Sequence, residues 1–97
     1  MLHTVNKSPL DSGCLASALR VAAADSPILL LEDGVYAARP GARSAELVLA
    51  ALRSHPVYAL KEDLQARGIQ QVIAGIQVIG YDGFVELVER HPVVPWL

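Results

Sequence analysis

A single thiol is the most chemically capable side chain in this sequence. Cys14 lies just inside a predicted first helix, after the loop that follows the first β-compatible run. Open α/β sheets place ligands at the carboxyl edge of their strands, and a helix N-terminus stabilises a thiolate. Both points suit a sulfur-handling nucleophile. The competing role is that of a small, partly buried apolar residue in an alanine-rich helix. No His, Lys or Arg lies within one turn on the C-terminal side of Cys14, which leaves Lys7, in the preceding loop, as the cation with a route to it.

The remaining chemistry-bearing residues read as structural. Asp33-Gly34 follows an apolar run at a position that suits a ligand edge. It is more simply a tight strand-to-helix turn in which glycine supplies the backbone angles. Neither G-x-G-x-x-G nor G-x-x-x-x-G-K-[ST] occurs, so a phosphate cradle is not supported. His3, His55 and His91 are widely spaced and form no H-x-x-x-H pair, which argues against a metal site. His55-Pro56 and His91-Pro92 follow helical patterns, where histidine commonly caps carbonyls. His3 is expected to be a hydrogen-bonded histidine of the first strand. Glu62-Asp63 reads as the solvated first turn of a helix, and no Ser-His-Asp grouping can be argued from these spacings. The expectation is therefore no catalytic, cofactor-binding or metal-ligating residue, with Cys14 the one candidate relay thiol and no cofactor required.

These residues hang on short apolar runs that alternate with helical patterns. Leu2 to Val5 is β-compatible and ends at Asn6-Lys7-Ser8-Pro9. Leu15, Ala18, Leu19 and Ala22 recur at spacings of three and four, with Asp11 or Ser12 as a cap and Asp25-Ser26-Pro27 as a stop. Ile28 to Leu31 is a continuous apolar run, as expected of a strand covered on both faces. Beyond Glu32-Asp33-Gly34 comes a short segment, Val35 to Ala38, broken at Arg39-Pro40-Gly41. Ser44 is a cap for a helix running to about Arg53. Val57 to Leu60 is the third run, followed by a helix with acids at its start and Gly68 at its end. Ile76 to Ile79 is a better strand than Val72-Ile73. Asp82 is placed to cap a last helix carrying Phe84, Val85, Leu87 and Val88, and His91-Pro92 closes it. That leaves the apolar tail Val93-Val94-Pro95-Trp96-Leu97, which docks either on a partner or on the chain's own core.

Four strands alternating with four helices predict a small doubly wound, mainly parallel sheet with helices on both faces, as one domain over residues 1–97. Composition bounds its partners. Hydrophobic residues make up 53% of the 97-residue chain and charged residues 19%, more apolar than a small domain easily hides. The excess points to contiguous surface patches and hence to a subunit. A net charge of −2 with no basic run offers no footprint for nucleic acid. No apolar stretch reaches membrane-spanning length, the N-terminal residues lack a signal-peptide pattern, and one cysteine fits a reducing compartment. The cytoplasm is the expected location.

Four blocks together resemble the TusB/DsrH family of DsrE-type sulfur-relay proteins. They are Leu2 to Pro9, Leu29 to Ala38, Val57 to Gly68, and Tyr81-Asp82-Gly83-Phe84-Val85 with His91-Pro92 and Trp96. Their order and spacing span nearly the whole chain. The resemblance implies a subunit of a heterohexamer with TusC-like and TusD-like proteins. Such a complex accepts persulfide sulfur from a TusA-like donor and passes it to a TusE-like acceptor, for 2-thiouridine formation at the tRNA wobble position. In sulfur oxidisers the matching complex serves dissimilatory oxidation. The resemblance assigns the essential relay cysteine to the TusD-like subunit, and a cysteine of DsrH-type relatives would fall at Ala18 here. A stand-alone persulfide-transfer enzyme using Cys14, or a generic homodimeric binding module, are the other classes.

Overall fold

The computed structural model describes residues 1–9 and 12–97. In chain order the elements are β1 (Leu2–Val5), α1 (Cys14–Val21), β2 (Ile28–Leu30), a 3₁₀ helix (Glu32–Ala38), α2 (Ala45–Leu52), β3 (Val57–Leu60), α3 (Lys61–Ala66), β4 (Gln77–Ile79), α4 (Tyr81–Arg90) and β5 (Val93–Trp96). All strand pairs are parallel, in the order β4-β3-β2-β1-β5. The expected α/β architecture holds, with one correction. The apolar tail, given no strand from the sequence, is a fifth strand, in register with β1 from Leu2 opposite Val93 to Val5 opposite Trp96.

The connections explain the layering. From β1 the chain steps outward through β2 and β3 to β4, then returns past them to place β5 on the far side of β1. Right-handed crossovers in opposite directions put their helices on opposite faces. One face carries Val5, Ile28, Leu30, Val57 and Ala59 from the strands, packed with Leu15 and Ala18 of α1, Val48 and Ala51 of α2, and Leu64 of α3. The other is smaller: Leu2 and Leu29 pack with Leu87 of α4, with Phe84, Tyr58 and Ile79 around them. Strands β1 and β2 are buried along their whole length, which is why their sequences read as unbroken apolar runs rather than alternating ones.

Helix ends follow the sequence signals unevenly. Gly68 sits at φ +67° and its N–H donates to the Gln65 carbonyl, while the Ile69 N–H reaches Leu64, which is a Schellman ending for α3. Ser12 Oγ accepts the N–H of Cys14 at 3.1 Å, whereas Asp11 lies outside the described residues. Ser44 occupies the N-cap position of α2, yet its side chain makes no capping hydrogen bond and its Oγ is buried without a partner. At α4 the cap position falls to Gly80, and Asp82 lies within the first turn. There it favours the positive end of the helix dipole without capping it.

Candidate functional site

The order reversal at β1 brings the carboxyl ends of β1 and β5 together, and Cys14 stands beside them. Its thiol donates to the main-chain oxygen of Leu97 at 3.4 Å and accepts from Ser12 Oγ at 2.9 Å. Partly buried, Cys14 packs against the larger core cluster. The contact with Leu97 was not legible in the sequence, because it depends on the tail being a strand. A cleft of about 350 Å³ opens nearby, lined by Ser12, Gly13, Ala16, Arg43 and Ser44 among others, and Cys14 is not in its wall. Lys7 is exposed.

His3 is the hydrogen-bonded histidine the sequence suggested, with a partner 93 residues away. The indole Nε1–H of Trp96 donates to His3 Nδ1 at 3.1 Å, and the two rings lie 6.3 Å apart at a 32° tilt. An accepting Nδ1 carries no proton, so the neutral ring holds its hydrogen on Nε2. Burial, then the Met1 amino group, then His55, hold the His3 imidazole below its ordinary pKa. His55 departs from the expected carbonyl-capping role at the end of its own helix. Its Nδ1 donates instead to the Ser26 carbonyl at 2.9 Å, in the loop before β2, and its backbone N–H closes α2 onto Ala51.

The acidic residues at the carboxyl edge are also tied down, which corrects the reading of Glu62-Asp63 as a solvated turn. Asp63 Oδ2 accepts the backbone N–H of Glu32 at 2.6 Å. Arg67 then bridges Asp63 and Asp33, with its Nη2 2.9 Å from Asp33 Oδ1 and its Nη1 3.6 Å from Asp63 Oδ1. These bonds staple the start of the 3₁₀ helix to α3. Glu32, held in the left-handed region at φ +50°, makes the turn that glycine was expected to make. Gly34 is required for another reason: a Cβ there would collide with the Val5 carbonyl. Glu62 Oε1 and Asn6 Oδ1 are buried without hydrogen-bond partners.

Among the described residues no group of three or more His, Cys, Asp or Glu side chains is placed to hold a metal ion. No helix among the described residues is long and apolar enough to cross a membrane. The apolar surplus does reach the surface. On α4, Leu87 faces the core while Tyr81, Val85 and Val88 are exposed, and Val78 of β4 is exposed as well. Tyr81, Val85 and Val88 recur at helical spacing, so α4 carries an exposed apolar stripe beside its core-facing one.

The five-stranded, all-parallel α/β sandwich with this order is shared with solved structures. The YchN protein of Escherichia coli has the same fold, with a TM-score of 0.73 over 97% of each chain at 18% sequence identity. More specifically, residues 7–94 match the family described as DsrH like protein. The chain is 46% identical over 92 residues to Protein TusB of Serratia proteamaculans, covering 94% of each. It is 44% identical over 95 residues to Protein TusB of Escherichia coli K12, covering 95% of each. The chain belongs to this DsrH/TusB family.

Proposed function

We propose that this chain is a non-catalytic subunit of a cytoplasmic sulfur-relay complex, acting as one domain over residues 1–97. In this reading it assembles with TusC-like and TusD-like subunits into a heterohexamer. The complex takes persulfide sulfur from a TusA-like donor and hands it to a TusE-like acceptor for 2-thiouridine formation in tRNA. The observation that carries the reading is relatedness to TusB proteins at 40–46% identity over nearly the whole chain. Support of a different kind comes from the exposed stripe of Tyr81, Val85 and Val88, a surface suited to burial against another subunit.

Cys14 is left outside the relay in this account. A relay thiol must be accessible, ionised enough to attack and able to hand its persulfide on. Here the thiol points to the main-chain oxygen of Leu97, its sequence neighbours Gly13, Leu15 and Ala16 bring neither base nor cation, and there is no second cysteine to resolve an intermediate. The match to the DsrH description favours one second reading, a subunit of a dissimilatory sulfur-oxidation complex. Deleting the gene and measuring tRNA 2-thiouridine separates the two. Loss of the modified base, restored by the intact chain, supports the thiolation role; an unchanged level rejects it.

A further inference from the structure

Strand β5 is paired to the fold along one side only. It has one neighbour, β1, because it lies at the edge of the sheet. The bond from Leu2 N–H to the Pro92 carbonyl sets the phase of that ladder, which turns the backbone groups of Val93 and Pro95 outward. Pro95 has no N–H to offer there, so a further strand gains little by pairing on that side. Val93 is 42% exposed and Leu97 78% exposed. Beyond the ladder itself, what fastens the strand is Trp96, whose ring packs on the core and whose indole N–H donates to His3 Nδ1.

That bond has a condition attached. Nδ1 accepts only while it carries no proton; a protonated imidazole turns an N–H toward the indole N–H, and two donors then face each other. Around His3 the titratable groups are the Met1 amino group and His55, both of which oppose a positive ring. The cleft beside His3, about 380 Å³, is lined by Met1, Val21, Ala23, Ser26 and Val94, none with a charged side chain, and it gives water a path to the ring. On its other side in the sheet His3 pairs with Ile28.

We propose that His3 and Trp96 form a proton-operated latch on the C-terminal strand: protonation of His3 breaks the indole bond, loosens β5 from β1 and withdraws the Leu97 main-chain oxygen from the Cys14 thiol. The latch is closed at neutral pH, since burial and the two neighbouring groups keep the ring neutral, and it opens on the acid side of the ordinary histidine value of 6.5. The Cys14 thiol is bonded to Leu97 while the latch is closed and released when it opens.

Amide hydrogen exchange on the full chain reads this directly, expressed as protection factors so that the intrinsic pH dependence of exchange cancels. Between about pH 7.5 and about pH 5, protection of the Val94 and Trp96 amides is expected to fall at least about tenfold relative to the Leu29 and Leu30 amides of β2. His3→Gln, whose side-chain oxygen accepts a hydrogen bond without titrating, is expected to remove that pH dependence. Trp96→Phe keeps a ring on the core but lacks the donor, so β5 protection should be lower at both pH values and independent of pH. A wild-type fall shared equally by β2, or one of the same size in Trp96→Phe, overturns the proposal. Should His3→Gln not fold, the Trp96→Phe comparison decides alone.

Discussion

The backbone of Gly34 runs against the carbonyl of Val5 so closely that no side-chain carbon fits between them. The same carbonyl accepts the N–H of Leu31 at 3.1 Å, so the end of β1 is fixed from β2 and has nowhere to retreat. Gly34→Ala is therefore expected to destabilise the fold by about 3 kcal/mol, the upper end of what overpacking costs. Urea denaturation followed by circular dichroism measures it. A loss below about 0.5 kcal/mol, the size of an ordinary surface substitution, would show that the 3₁₀ helix shifts freely away from β1.

Stability should also depend on pH through His3. Its folded-state pKa is depressed, so on acidification the unfolded chain takes up the proton first. The contribution of the neutral buried ring is fully present above 6.5, the unfolded value, and is lost as pH falls through the lower folded value. Urea midpoints should thus drop below about pH 6.5 in the wild type and drop less in His3→Gln. Equal pH slopes for the two proteins would remove His3 from the account.

Much of the fold was legible because the buried parallel strands advertise themselves. Ile28 to Leu30 and Val57 to Leu60 are apolar runs fenced by Asp25-Ser26-Pro27 and His55-Pro56, and Gly68 marks the end of α3 where its φ of +67° demands it. Strand β5 was hidden by Pro95, a residue that argues against a central strand but is tolerated where the missing N–H faces outward. The polar edge was hidden for a different reason. Asp63 meets Glu32 across 31 residues and Arg67 meets Asp33 across 34, and no local pattern encodes such a pairing. Cys14 was singled out by its residue type and its place after β1. Its contact with Leu97 required the strand that sequence reading missed.

Cys14→Ala is expected to leave sulfur transfer through the assembled complex nearly intact. The substitution removes the weak thiol bond to Leu97 and a partly buried sulfur, while alanine is the better helix former at that position. A stability change within about 1 kcal/mol should follow. The readout is tRNA 2-thiouridine in cells lacking the gene and complemented with the variant. Thiolation that collapses while the complex still assembles would make Cys14 a relay residue and this subunit a catalytic one.

Membership in a hetero-oligomer is the claim on which the functional account turns. Tyr81, Val85 and Val88 are exposed on a helix whose adjoining face, through Phe84 and Leu87, already fills its own core, and a small domain gains nothing by itself from that exposed stripe. Co-expression with TusC-like and TusD-like proteins, followed by size-exclusion chromatography and mass measurement, tests the claim most directly. The account predicts co-elution of all three chains as one species holding equal numbers of each. A monodisperse monomer that ignores both partners would contradict it.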